Sequence, residues 1–414
     1  MTLTTEQQNV ITSVRDGKTV LITGSAGTGK SFLVSYICYE MDRRNQLFAL
    51  TAPTGIAALN IGGTTIHNFL KITPFVTNLG QYQRSRKRGV GPDWANLKTI
   101  IVDEVSMLHP DLFILLSEIC QFHKRNTLPF GGIQMIFIGD FLQLSPIHKK
   151  PVTCKYAFQT DLWNEIGVVE IELTRSIRQQ DSLFAAALNE FRIGKVARAA
   201  KEMIKICTNN TKIPGKKYTH LCALNKDCDI GNARELKKLG TEERTYHAVH
   251  VGNERLLKDC LAEITITLRV GATVMLLRNL PEHGLCNGSI GTVVQLEPFW
   301  VSVQFNSGLI VVIERYTWEI RHTDSKSLVL AASRTQIPLR LAYFISIHKS
   351  QSLSIDHLVA DCKDIFAQGQ LYVMLSRAKT MEGLIIRNFR PSALITDKIA
   401  LDFYAKRIEE VETA

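Results

Sequence analysis

The sequence has no C-x-x-C pair, no apolar run near the ~20 residues a bilayer span requires, and no internal repeat or low-complexity tract. Its nine cysteines (Cys38, Cys120, Cys154, Cys207, Cys222, Cys228, Cys260, Cys286 and Cys362) are scattered and odd in number. That pattern indicates neither a disulfide framework nor a zinc site, and reads as small buried hydrophobes in a reducing compartment. The opening Met1-Thr2-Leu3-Thr4-Thr5-Glu6 carries neither an apolar signal core nor an Arg-rich transit helix. The expectation is therefore an intracellular, soluble protein that is not secreted; nucleus, bacterial or host cytoplasm and viral factory all fit. With 45 % hydrophobic and 21 % charged residues, the chain is not disordered.

What is present is length and positive charge. At 414 residues the chain can bury at least two cores of ordinary domain size. Lys plus Arg number 49 against 39 for Asp plus Glu, a formal charge of +10. This balance suits a polyanion such as nucleic acid, the plain alternative being a solvated basic surface.

Short β-branched runs alternate with helical patterns. Val20–Thr23, Thr99–Val102, Met135–Ile138 and Val168–Ile171 read as buried parallel strands, with helices over Ser31–Met41 and Leu112–Phe122 between them. This is βαβ alternation, which implies an α/β fold. Two stretches break it. Leu70 to Trp94 is polar and holds the basic run Arg84-Ser85-Arg86-Lys87-Arg88, while Gly271 to Pro338 is mostly β, with a hairpin turn at Asn306-Ser307-Gly308. Helical patterning returns over Phe366–Arg377.

Gly24-Ser25-Ala26-Gly27-Thr28-Gly29-Lys30-Ser31 follows a strand and opens a helix, which is the context a phosphate-binding loop needs. Glycines let backbone N–H groups curl around phosphates, and the helix N-terminus adds partial positive charge. Lys30 then reaches the β- and γ-phosphates and the Ser31 hydroxyl ligates Mg²⁺. Ile100-Ile101-Val102-Asp103-Glu104 ends a buried strand in two acids, Asp103 for the metal and Glu104 for the attacking water. The next strand ends in Asp140-Phe141-Leu142-Gln143, placing Gln143 to sense the γ-phosphate.

In this order the motifs resemble those of superfamily 1B helicases, most closely the Pif-type (petite integration frequency) DNA helicases, with RecD-like helicases as near relatives. Leu3-Thr4-Thr5-Glu6-Gln7 is similar to the family's adenine-reading segment, with Gln7 the base contact. Thr51-Ala52-Pro53-Thr54-Gly55-Ile56-Ala57-Ala58 and Gly62-Gly63-Thr64-Thr65-Ile66-His67-Asn68-Phe69 resemble its first DNA-contact motifs. Phe130-Gly131-Gly132-Ile133-Gln134 resembles a segment characteristic of the Pif type. Leu173-Thr174-Arg175-Ser176-Ile177-Arg178-Gln179 and Tyr372-Val373-Met374-Leu375-Ser376-Arg377-Ala378 resemble the motifs whose arginines, here Arg178 and Arg377, reach the γ-phosphate from the second domain. Ile347-His348-Lys349-Ser350-Gln351 resembles the motif coupling DNA to nucleotide. Ser352 stands where the family usually has Gly, and Ser145 where it has Pro; neither change removes a charge or a ligand.

The resemblance implies two RecA-like P-loop domains with a small wedge insertion in the first and an SH3-like β-barrel insertion in the second. The expected boundaries are 1–69 and 95–166 for domain 1A, 70–94 for the wedge, 167–270 and 339–414 for domain 2A, and 271–338 for the barrel, whose core Trp300 and Trp318 would fill. It further implies ATP and Mg²⁺, with nucleotide held by Gln7 and 24–31. Single-stranded, forked or structured DNA would be held by Pro53, Thr54, Gly55, Thr65, His67, Asn68, His348 and Lys349. The implied activity is a 5′-to-3′ DNA helicase; both halves of the ATP cleft lie in one chain, which favours a monomer. A translocase that strips proteins without unwinding, a scaffold with a decayed ATPase, and a motor on RNA are the competing readings. No membrane partner is expected.

Overall fold

The computed structural model describes residues 3–412 except 74, 86–90, 147–153, 176–180, 258–259, 286, 325–326 and 352. Runs of Val, Ile and Leu form the strands of the first sheet: β1 (Val20–Gly24), β2 (Phe48–Ala52), β3 (Thr64–Thr65), β4 (Thr99–Val102), β5 (Gln134–Ile138) and β6 (Val169–Leu173). Their order is β3-β2-β4-β5-β1-β6, and every pairing is parallel. Central strands β1 and β4 are buried along their whole length, as continuous apolar runs covered on both faces should be. Edge strand β6 instead alternates Val169, Glu170, Ile171, Glu172 and is mostly half-buried.

Helices α1 (Thr5–Arg15), α2 (Lys30–Arg43), α3 (Gly55–Asn60), α4 (Ile66–Leu70), α5 (Leu79–Ser85), α6 (Pro110–Lys124) and α7 (Asp161–Glu165) belong to this unit. α6 shows how the sequence sets them. Pro110 occupies the first turn, the His109 ring accepts from the Asp111 N–H, and Arg125 ends the helix in a left-handed conformation. Leu112, Phe113, Leu115, Leu116, Ile119 and Cys120 form its buried stripe. Against that stripe, the Phe113 ring lies 5.4 Å from Phe130 and 5.8 Å from both Phe137 and Trp163.

The 70–94 segment does not stand apart from this core. Leu70, Ile72, Tyr82 and Trp94 are buried in it; the Tyr82 hydroxyl lies 2.6 Å from His123 Nε2, and Trp94 stacks on the His123 ring at 4.5 Å. Arg84 lies exposed near the end of α5, and Arg86, Lys87 and Arg88 fall outside the described residues.

The second unit has its own parallel sheet, built from β7 (Thr219–Cys222), β18 (Phe344–Ser346), β19 (Leu358–Asp361) and β20 (Leu384–Arg387) in the order β18-β7-β19-β20. The chain between β7 and β18 forms β8 (Glu243–His247), β9 (Val249–Gly252), β10 (Thr265–Arg269), β11 (Thr273–Leu276), β12 (Ile290–Leu296), β13 (Trp300–Phe305), β14 (Ile310–Glu314), β15 (Tyr316–Asp324), β16 (Ser327–Gln336) and β17 (Leu339–Leu341). Helices α8 (Ser182–Arg192), α9 (Arg198–Asn209), α10 (Asn225–Lys237) and α11 (Gln370–Leu375) complete the unit.

The expected hairpin at 306–308 is there, with Gly308 at φ +94° between β13 and β14. The expected barrel limits are too narrow. β17 pairs with β11 beyond Pro338, and Tyr246, Ile266 and Leu268 from β8 and β10 share the β11–β13 core. Nor do the tryptophans fill that core, which is aliphatic with Phe305 and Tyr246; Trp300 is half-buried, and Trp318 is buried outside it, edge-on to Tyr316.

Two further boundaries need correction. β6 belongs to the first sheet, because all five of its residues pair with β1. The last helix, α12 (Lys398–Glu412), belongs to the first unit and not to the second domain. Its Phe403 ring stacks on Phe158 at 4.2 Å, and Ala400 is fully buried in the first-unit core. The chain thus divides into Met1–Gln180, His322–Leu328 and Thr396–Ala414 in one unit, and Asp181–Arg321 with Val329–Ile395 in the other.

Phe113 is fully buried among three aromatic rings. Phe113→Ala should therefore cost about 3–5 kcal/mol, read as a lowered midpoint of chemical unfolding.

Candidate active site

A parallel sheet carries all its strand C-termini on one edge, and loops after those ends are where α/β folds build sites. Here the loops after β1, β4 and β5 come from adjacent strands in the order β4-β5-β1. They hold the phosphate loop, Asp103-Glu104 and Asp140–Gln143 respectively.

The phosphate loop is shaped by its glycines. Gly24, Gly27 and Gly29 have φ of +143°, +86° and +91°. A Cβ on Gly24 would sit 2.4 Å from the Leu173 carbonyl oxygen, so only glycine lets β1 leave beside β6 there. Thr28 Oγ1 donates to the Ser25 carbonyl at 2.9 Å, and Lys30 Nζ donates to the Gly24 and Ser25 carbonyls at 2.7 and 3.0 Å. Ser25, Gly27, Gly29 and Lys30 are half-buried, Ala26 is buried, and Ser31 is exposed at the start of α2.

Asp103 and Glu104 are both buried, at 8 % and 9 % exposure. Burial, then the neighbouring Glu104 charge, pushes the Asp103 carboxyl up to about 7, with the Lys30 charge pulling the other way. Glu104 is held at φ +52°, a conformation a non-glycine residue keeps only when its surroundings impose it. Gly139 explains how β5 passes so close: a Cβ there would lie 2.9 Å from Val105 N. Beyond it, Gln143 is buried and its N–H donates to the Asp140 carbonyl at 2.9 Å.

Gln7 is buried and serves its own helix. Its Oε1 accepts from Thr4 N–H at 3.1 Å while Thr4 Oγ1 caps α1, so the side-chain NH₂ is the part suited to a base. Ser145 is half-buried; Arg178 and Ser352 lie outside the described residues.

The first DNA-contact candidates sit on the same sheet edge. β2 and β3 pair Thr51 with Thr64 and Ala52 with Thr65, which brings Pro53-Thr54-Gly55 beside Thr65–Asn68. Thr54 Oγ1 accepts from Ala57 N–H and Thr65 Oγ1 from Asn68 N–H, each capping a short helix. Asn68 binds Thr64 Oγ1 and accepts from Lys71, so its amide also supports the local fold. His67 is half-buried on α4.

In the second unit, His348 and Lys349 form a single turn just after β18, both half-buried, and burial lowers the His348 pKa. The imidazole is therefore neutral at physiological pH, a hydrogen-bonding group and not a charge. Arg377 is buried; its Nε donates to the Val373 carbonyl at 3.0 Å and its guanidinium to Ser376 Oγ at 2.9 Å.

One neighbour of the site had little local signal in the sequence. Tyr404 of α12 reaches Thr23, one residue before the phosphate loop, with its hydroxyl 2.8 Å from Thr23 Oγ1. The same hydroxyl accepts from Phe141 N–H at 3.1 Å. Only an unusually placed aromatic pair, Phe403-Tyr404 in a charged tail, hinted at buried packing.

Comparison with known proteins agrees with this geometry. A PIF1-like helicase family model matches residues 2–201, and a model of the DNA helicase Pif1 2B domain matches 253–296. The chain is 30 % identical to the ATP-dependent DNA helicase Pif1 of Bdellovibrio bacteriovorus, over 97 % of this chain and 91 % of that protein. The chain belongs to the Pif1 helicase family. It is also 36 % identical to the ATP-dependent DNA helicase PIF1 of Danio rerio, over 99 % of this chain and 64 % of that protein. Across the vertebrate and fungal relatives matched, it spans 62–65 % of their length. A crystal structure of Bacteroides Pif1 with ADP-AlF3 and ssDNA superposes with a TM-score of 0.73 at 30 % identity, covering 99 % and 98 % of the two chains. The two-RecA-domain α/β fold follows from this family. Among the described residues no helix is long and apolar enough to cross a membrane.

The buried acid gives this Pif1-family chain a pH signature. Asp103 titrates higher folded than unfolded, so the unfolded state releases its proton first and wild-type stability falls as pH rises from about 4 to 7. Without nucleotide or Mg²⁺, Asp103→Asn should match wild type at pH 4 and melt several degrees higher at pH 8, read by thermal unfolding across that range.

Proposed function

We propose that this chain is an ATP-driven DNA helicase that moves 5′ to 3′ on single-stranded DNA and opens duplex or structured DNA. The observation that carries the reading is adjacency: one sheet edge holds the phosphate loop, the buried acids and, on the next two strands beyond the acids, the paired 53–55 and 65–68 loops. The ssDNA and ADP-AlF3 in the related Bacteroides structure support both halves of it.

In this mechanism the loop N–H groups of 24–31 and Lys30 bind the ATP phosphates, and Gln7 reads the base. Ser31 and Asp103 would hold the metal; the positive-φ loop and the buried acid fit a Mg-nucleotide. Held there, Mg²⁺ would supply charge neutralisation to the nucleotide phosphates. Glu104 takes a proton from the attacking water, and Gln143 orients that water. Arg178 and Arg377 stabilise the transferring phosphoryl charge when the domains close. Pro53, Thr54, Gly55, Thr65, His67 and Asn68 grip the DNA backbone from one domain, His348 and Lys349 from the other, so closure moves one grip relative to the other. One chain contains every part of this cycle, and the monomer is its working unit.

The basic run 84–88 guides the strand at the point of separation. Its deletion together with 70–94 would remove buried Tyr82 and Trp94, so charge neutralisation is the cleaner test. Changing Arg84, Arg86, Lys87 and Arg88 to Gln should abolish unwinding of a 5′-tailed duplex while ssDNA-stimulated ATP turnover persists; a 3′-tailed duplex should stay closed even with wild type. Equal loss of both activities would remove the strand-separation role, and unwinding of the 3′-tailed substrate would reverse the polarity.

A further inference from the structure

The phenol of Tyr404 joins two loops of the ATP site that have no other shared side chain among the hydrogen bonds described above. It accepts from Phe141 N–H at 3.1 Å, lies 2.8 Å from Thr23 Oγ1, and donates to Asp140 Oδ1 at 3.4 Å. A phenol oxygen accepts twice and donates once, so the Thr23 hydroxyl acts as donor and all three contacts coexist. Thr23 is 1 % exposed, and Asp140 and Phe141 are fully buried, so these bonds form away from competing water.

Each partner leads directly to chemistry. Thr23 precedes Gly24, the first residue of the phosphate loop. Asp140 Oδ1 also accepts from Leu142 N–H at 3.1 Å, and its carbonyl accepts from Gln143 N–H at 2.9 Å. Asp140 therefore shapes the turn that presents Gln143, and Tyr404 holds Asp140. α12 is itself pinned: Asp397, just before it, accepts from Lys155 and from the Tyr156 hydroxyl at 2.8 Å. Phe403 stacks on Phe158 at 4.2 Å and lies 5.4 Å from Phe141. The helix is continuous in sequence with the second unit, which ends at Ile395.

We propose that Tyr404 is a positioning residue for ATP hydrolysis, its phenol holding the Asp140–Gln143 turn in register with the phosphate loop. The proposal rests on the ATPase reading above. It assigns Tyr404 to the rate of the chemical step and not to nucleotide affinity, because the phosphate-binding loop N–H groups do not involve it.

The test is steady-state ATP hydrolysis, with and without a single-stranded oligonucleotide, by wild type, Tyr404→Phe, Thr23→Val and Thr23→Ser. Tyr404→Phe keeps the ring and loses the hydrogen bonds. It should lower kcat by about fivefold to tenfold, with KM for ATP within about twofold and the melting temperature nearly unchanged. Thr23→Val should reproduce the loss and Thr23→Ser should escape it. The proposal is overturned by wild-type kcat in Tyr404→Phe, or by a kcat loss matched by a proportional rise in KM or fall in melting temperature. Should wild type hydrolyse ATP without responding to the oligonucleotide, the motor reading fails, while the basal kcat of Tyr404→Phe still decides this one.

Discussion

Parallel pairing of the first sheet is the constraint on which the rest of this protein depends. Because β1 to β6 all run one way, the loops after them emerge on a single edge, and strand order alone decides what lies beside what. β4, β5 and β1 are consecutive, so the acids, the Gln143 turn and the phosphate loop become neighbours without any long-range loop to position them. β2 lies next to β4, so the 53–55 loop follows directly after the acid loop, and β3 adds the 65–68 loop outside it. On the proposed function, site chemistry and DNA grip would thus be linked through the backbone of one sheet.

Close approach at that edge has local costs that the sequence meets with specific residues. Gly24 and Gly139 are required where a Cβ would strike Leu173 and Val105. Glu104 accepts a left-handed backbone, and Asp103 keeps a carboxyl in a place where burial disfavours its charge. Strain and desolvation of this kind cost stability and persist where surrounding packing over-determines them. The aromatic layer around Phe113, Phe137 and Trp163 and the tail helix with Phe403 and Tyr404 supply that packing.

Much of this was legible in the sequence because it is local. The strands that are buried on both faces announce themselves as Val/Ile/Leu runs, and the glycine pattern at 24–29 is dictated by backbone geometry within eight residues. The family motifs extend that legibility along most of the chain. Contacts across long separations were not legible. Nothing near Tyr404 says that it bonds to Thr23, 381 residues away. The acidic alternation in β6 obscured its pairing with β1, and the polar look of 70–94 hid Tyr82 and Trp94, whose polar edges let them sit in a core. Trp300 and Trp318 misled for the opposite reason: large aromatics suggested a core that Leu, Ile and Val with Phe305 and Tyr246 fill instead.

The most direct measurement of the central claim, that nucleotide chemistry and DNA grip on this edge form one engine, is nucleotide binding set against turnover in Glu104→Gln. The account predicts that this variant binds a fluorescent ATP analogue and single-stranded DNA as wild type does, while its DNA-stimulated hydrolysis falls by about a hundredfold or more. Undiminished hydrolysis by Glu104→Gln would contradict it, because the base would then lie elsewhere.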